Sequence, residues 1–185
     1  MDDDDGSSRT RPNILVTGTP GVGKTATASL IAENLGMKHL SVGDIVKQHK
    51  CYEGRDEELD SYILDEDKLL DIMEPMIQDA AEDGIGVVVD YHSCDFFPER
   101  YFDLVLVLRA KTEVLYDRLK IGRGYSEKKI SENMECEIMQ VVLDEARESY
   151  QAEIVHEVPS NTLEEMESNV ARVEQWCAQW IKDHS

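Results

Sequence analysis

Between a short apolar run and a helix-forming stretch, the chain reads Gly18-Thr19-Pro20-Gly21-Val22-Gly23-Lys24-Thr25. Glycines at these spacings permit backbone angles that turn successive N–H groups inward, making a nest for phosphate oxygens. A helix starting at Lys24 adds its positive end to that nest. The lysine amine can reach the β- and γ-phosphates of a nucleoside triphosphate, and the Thr25 hydroxyl can ligate the accompanying magnesium. This is the P-loop pattern in full, with the strand before and the helix after that it requires. Contacts to ATP are therefore expected from Gly21, Val22, Gly23, Lys24, Thr25 and Ala26.

Such a cradle needs an acid near the metal. Asp90 ends the run Val87-Val88-Val89, so its carboxylate is expected at the same sheet edge, holding the magnesium shell through water. Aspartates also follow strands simply as turn formers, but beside a P-loop the metal role is preferred. His92, Cys94 and Asp95 lie close together, yet no further ligands have metal-site spacing, so a metal centre there is not expected.

The elements that must position these groups alternate strand and helix. Ile14–Val16, His39–Ser41, Val87–Asp90, Leu104–Leu108 and Ile154-Val155 read as strands. Helices are expected from Lys24 to Leu35 with a Gly36 stop, over Val42–His49, and after an Asp65 cap with Leu69, Ile72, Met76 and Ala80 inward. Pro75 is expected to kink the last of these. A further helix spans Val114–Leu119. Ser126 is read as the cap of one long helix carrying Ile130, Met134, Ile138, Val142 and Ala146. A Thr162/Glu165 capping box opens the final helix, with both tryptophans in the core. Residues 50–65 read as irregular. The pattern predicts an α/β fold, a three-layer P-loop architecture with a parallel central sheet and ligands at the carboxyl ends of its strands. One domain, 12–185, is expected after a disordered acidic arm, 1–11.

Composition narrows the rest. The 185 residues suit one core, and no run nears the roughly 20 apolar residues of a membrane helix. Cys51, Cys94, Cys136 and Cys177 are scattered, which fits reduced thiols in cytosol or nucleus. A net charge of −20 disfavours strong direct nucleic-acid binding and leaves either a solubility surface or an attraction for a basic protein. The Asn-Lys-x-Asp pattern of GTPases is absent, and the chain is too short for a motor or transporter ATPase.

Nearly the whole chain outside the arm resembles the adenylate kinase family, in particular its nuclear isoenzyme 6 branch. The strings that carry the resemblance are Gly18 to Thr25, Val42-Gly43-Asp44, Ile63-Leu64-Asp65-Glu66-Asp67, and Val89-Asp90-Tyr91-His92 followed by Cys94-Asp95-Phe96-Phe97-Pro98-Glu99-Arg100. Arg123-Gly124-Tyr125, Cys136-Glu137-Ile138, Glu153 to His156 and Pro159-Ser160-Asn161 continue it. The resemblance implies an acceptor-nucleotide flap at about 41–64 and a lid at about 122–132. It implies AMP binding by Gly43, Asp44, Lys47 and Arg100. Lys47 stands where ordinary adenylate kinases carry an arginine, and a lysine lacks the bidentate fork. Arg100 is either a grip on the acceptor phosphate or a surface ion pair.

By resemblance, His92 serves ATP hydrolysis, and Arg123, set between glycines, swings onto the charge that develops during transfer. Arg118 is a weaker candidate for that task. Lys24, Asp90, His92 and Arg123 are thus the expected catalytic group, with Thr25 and Asp90 at the metal. The expected activity is magnesium-dependent transfer from ATP to AMP with accompanying ATPase activity, in a monomer. The alternative is an ATPase that assists small ribosomal subunit maturation by switching its hold on a basic ribosomal protein, with residence in nucleus and cytoplasm implied by resemblance alone. A kinase for another acceptor such as shikimate is disfavoured by the strings above.

Overall fold

The computed structural model describes residues 9–58 and 61–185. Five strands form a wholly parallel sheet: β1 (Ile14–Thr17), β2 (Lys38–Ser41), β5 (Val87–Tyr91), β6 (Leu104–Arg109) and β7 (Val155–Pro159), in the order β2-β5-β1-β6-β7. Helices cover both faces, which is why β1 reads as an unbroken apolar run: Ile14, Leu15 and Val16 are fully buried. Alternation sends Ile14 and Val16 into one core with α1 (Lys24–Leu35) and α7 (Leu163–Asp183). Leu15 enters the other, with α2 (Val42–His49) and α3 (Glu66–Glu82). Each such side chain contributes roughly 1.5–3 kcal/mol by leaving water. The apolar run of β5 marks an interior strand, and the middle position belongs to β1. Among the described residues, no helix is long and apolar enough to cross a membrane.

Several expectations are corrected. The stretch read as irregular contains a hairpin, β3 (Tyr52–Asp56) and β4 (Ser61–Leu64), with Tyr52 and Tyr62 stacked 4.3 Å apart. Helix α3 contains Pro75 within its length, and its buried line is Leu69, Met73, Ile77 and Ala80, with Ile72 and Met76, read as inward, at the margin. After α4 (Thr112–Asp117), the stretch read as one long helix is two: α5 (Glu127–Ile138) and α6 (Val141–Ser149). Gln140 separates them in a left-handed conformation, φ 58°. The reason is topological. Ile130 of α5 packs into the core of α1, whereas Leu143 and Ala146 of α6 pack into the core of α3, and one straight rod cannot serve both faces. Ile138, which fits the helical period, is left exposed.

Strand β7 begins at Val155 after a short helical turn, one residue later than read. Trp176 is only half-buried, and Trp180 stacks on His184 instead of entering the core. Residues 1–8 of the arm lie outside the described residues, but Arg9 is tied down, donating to both Asp103 oxygens at 2.9 Å.

The connection from β5 to β6 has no α-helix, only a single 3-10 turn at Glu99–Tyr101. Parallel pairing obliges the chain to return the full length of the sheet between Tyr91 and Leu104. Aromatic rings do the sealing that a crossover helix would do: Phe97 and Phe102 meet edge to face at 5.5 Å, and Phe102 meets Tyr150 at 6.1 Å.

Candidate active site

The segment from Gly18 to Gly23 folds as a tight loop at the carboxyl end of β1 and delivers the chain into α1. Gly18 and Gly21 adopt φ of 149° and 96°. A Cβ on Gly21 would stand 2.8 Å from Leu119, so both its backbone angle and its packing exclude a side chain. Among the described residues, no protein acceptor takes the amides of Gly21, Gly23, Lys24 or Thr25, and α1 has no side-chain N-cap. Four donors thus converge at a helix start with their partner still to come.

Lys24 is buried, with its amine donating to the Thr19 carbonyl at 3.2 Å. Burial first, then the Arg123 charge, pulls its pKa down to about 7, against the opposing pull of Asp90 and Glu137. Thr25 donates its hydroxyl to Asp90 Oδ1 at 3.1 Å, and Asp90 is 4% exposed. Threonine and aspartate oxygens side by side at the cradle mouth are the hard donors that magnesium accepts, leaving its other positions to phosphate and water. The residues present therefore fit that ion.

His92 follows Asp90 by two residues and borders the same space, where desolvation and then the charges of Lys24, Arg123 and Lys129 lower its pKa to about 4. Both causes favour the neutral ring, although one side of the residue is open to solvent. Arg123 is exposed on the turn before α5, its guanidinium donating to the Tyr125 hydroxyl at 3.0 Å. Its charge is close enough to lower the pKa values of both Lys24 and His92.

The acceptor side divides. Asp44 borders a cavity of about 440 Å³ together with Thr25, Ser29, His39 and Met76, whereas Gly43 and Lys47 are not part of its wall. Arg100 is not brought to the cradle at all, which corrects its reading as a phosphate grip. By residue 100 the return loop has descended to the amino ends of the strands, where Arg100 Nη2 donates to Glu74 at 2.9 Å and its carbonyl accepts from Arg9. The cradle lies beyond the other end of β1, roughly 13 Å along a four-residue strand.

Arg118 is also not aimed at phosphate. Nη1 donates to the carbonyls of Val22 at 3.2 Å and Ser160 at 2.8 Å, stapling the cradle to the loop before α7.

Sequence reasoning missed the groups that brace the loop from behind. Glu137, 5% exposed, accepts from the Thr19 hydroxyl at 3.0 Å and the Ala110 amide at 2.8 Å. Arg109 Nε lies 3.2 Å from the same carboxylate, an ion pair without hydrogen-bond alignment, while its Nη2 donates to the Glu137 carbonyl at 2.8 Å. Ser160 donates to the Val22 carbonyl at 2.6 Å. The strings Cys136-Glu137-Ile138 and Pro159-Ser160-Asn161 carried the resemblance, and that was the one signal pointing to these braces. His39, hydrogen-bonded through Nε2 to Asp90 Oδ2, had no signal.

A nucleotide cradle of this kind on a five-stranded parallel sheet defines a P-loop phosphotransferase. An AAA domain model matches residues 14–140. Shikimate kinase from Bacteroides thetaiotaomicron shares the fold, with a TM-score of 0.53 at 16% identity over 89% of this chain and 97% of that one. More specific are an adenylate kinase isoenzyme 6 homolog of Dictyostelium discoideum, 49% identical over 96% of this chain and 98% of that protein, and FAP7 of Saccharomyces cerevisiae, also called an isoenzyme 6 homolog, 46% identical over 94% and 85%. The chain belongs to the adenylate kinase isoenzyme 6 family.

Proposed function

We propose that this chain transfers the γ-phosphoryl group of ATP to AMP, giving two ADP. A phosphate oxygen of AMP forms the new bond to the γ-phosphorus while the bond to the β,γ-bridging oxygen breaks. The observation that carries this reading is the set of unpartnered amides of Gly21, Gly23, Lys24 and Thr25 at the start of α1, with the Lys24 amine and the Thr25–Asp90 pair beside it. Those amides bind and orient the phosphates, Lys24 neutralises the β- and γ-oxygens, and Arg123 counters charge on the transferred group. Thr25 and Asp90 would hold magnesium, which would supply positive charge against the phosphate oxygens. Two covers frame the site: α2 with the β3–β4 hairpin, and the turn into α5. They meet through Lys128 and Glu58 at 3.3 Å, a contact that would help exclude water.

A second reading is favoured by the neutral ring of His92, which could accept a hydrogen bond from a water beside the γ-phosphate, and by the net charge of −20. In it the chain hydrolyses ATP and uses the nucleotide cycle to hold and release a basic small-subunit ribosomal protein in nucleus and cytoplasm.

The two are separated by incubating the protein with ATP and magnesium, with or without each nucleoside monophosphate, and resolving products by phosphorus NMR. Two ADP formed per ATP consumed, only when AMP is present, is expected. Phosphate release that is indifferent to AMP but raised by a basic protein would favour the second reading.

A further inference from the structure

The Asp90 carboxylate is held by two donors, one on each oxygen. Thr25 takes Oδ1 at 3.1 Å, and His39 Nε2 takes Oδ2. Strand β2 is the edge neighbour of β5, with His39 in register with Val88 and Ser41 in register with Asp90. Residues two apart on a strand share a face, so His39, Ser41, Val88 and Asp90 all point towards α1. The residue directly beside Asp90 is Ser41, yet the bond comes from His39, reaching diagonally by roughly 7 Å of strand. The His39 side chain is 21% exposed and that of Asp90 6%, so the contact is shielded but not sealed. It also lies on the wall of the cavity that contains Thr25 and Asp44.

We infer that His39 is a positioning residue, fixing the Asp90 carboxylate so that Oδ1 faces Thr25 and the metal position before nucleotide arrives; this rests on the reading of Asp90 as the magnesium-side acid. A carboxylate on a single donor can turn about its Cβ–Cγ bond and tilt its plane away from Thr25. A second donor on the other oxygen fixes that plane, because an intermediate rotation would stretch one bond or the other. Outer partners of metal-side ligands act in this way, by setting orientation without touching the ion. Nothing else among the described residues bonds Oδ2, so the orientation depends on this one side chain.

The test is a magnesium titration of the binding of a ribose-labelled fluorescent ADP, with metal-free binding as the reference. His39→Ala is expected to raise the magnesium concentration at half-saturation about tenfold, while metal-free affinity stays within about twofold. His39→Gln, whose amide nitrogen can donate from nearly the same place, is expected to recover the wild-type magnesium dependence to within about threefold. Asp90→Asn is the control for the underlying reading.

If Asp90→Asn shifts the titration and His39→Ala does not, the inference about His39 is overturned while Asp90 keeps its role. If Asp90→Asn has no effect, the role of Asp90 falls and the inference with it. Loss of metal-free binding in His39→Ala, checked against circular dichroism of the folded chain, would show general support of the fold and also overturn the inference.

Discussion

The two ends of the central sheet hold similar side chains in opposite states. At the amino end, Arg9 closes on both oxygens of Asp103, Asp103 also takes the Asn13 amide at 2.8 Å, and Arg100 and Tyr101 both donate to Glu74. The charged groups there are met by protein, while Asn13 Nδ2 is buried without a partner. At the carboxyl end, backbone amides have no protein acceptor, Lys24 is buried with a lowered pKa, and Arg123 and Lys129 crowd the same space. Buried donors left without partners cost stability unless a ligand supplies the missing acceptors. The contrast separates a structural network from a binding one better than residue identity does, since both ends contain arginine next to carboxylate.

Breaking the carboxyl end should have the largest effect. Lys24→Ala is expected to lower kcat/KM for ATP-dependent ADP formation by about 10³-fold, measured by a coupled assay, with the far-ultraviolet circular dichroism unchanged. Arg123→Ala should cost about 10²-fold, mostly in kcat, because its charge is needed when the group is in transit. Near-wild-type kcat in that variant would remove Arg123 from the phosphate position.

The acid–base state of Lys24 gives a smaller effect. Free protein carries this amine with a pKa of about 7, lowered by burial, and bound phosphate must raise it. The complex therefore binds more protons than the free protein above pH 7, so nucleotide affinity falls as pH rises from 7 towards 9, approaching about tenfold per pH unit. Calorimetry in two buffers of different ionisation enthalpy should show proton uptake on binding at pH 8.

At the amino end, Arg100→Ala is expected to change the KM for AMP by less than about twofold and stability by less than about 1 kcal/mol, as for an exposed ion pair. A tenfold rise in that KM would erase the distinction between the two ends.

What was legible depended on how far apart the partners are in sequence. The cradle could be read because its chemistry is contiguous, and Asp90 because a strand end after an apolar run places it. Glu137 could not be assigned its task, since its partner Thr19 is 118 positions away and the packing that joins them depends on the break at Gln140. The break itself was hidden because Ile138 continues the helical period, and only the need to cross from one face of the sheet to the other forbids a straight helix. His39 was invisible for a related reason, since nothing in the order of strands along the chain says that β2 lies beside β5. The sequence left Arg100 open between a phosphate grip and a surface ion pair, and only the return of the chain across the sheet before Leu104 sets it beside Glu74.

Helix α5 begins after the Ser126 cap and ends at Ile138, so its last turn carries Glu137, whose carboxylate accepts from Thr19. Its 12 residues make a strut of roughly 18 Å. In the proposed function, cover and cradle would be the two ends of one lever, with its joint at the left-handed Gln140. A tilt of the outer end would either be absorbed at that joint or reach the loop whose Thr19 carbonyl holds the Lys24 amine, a path a single helix long.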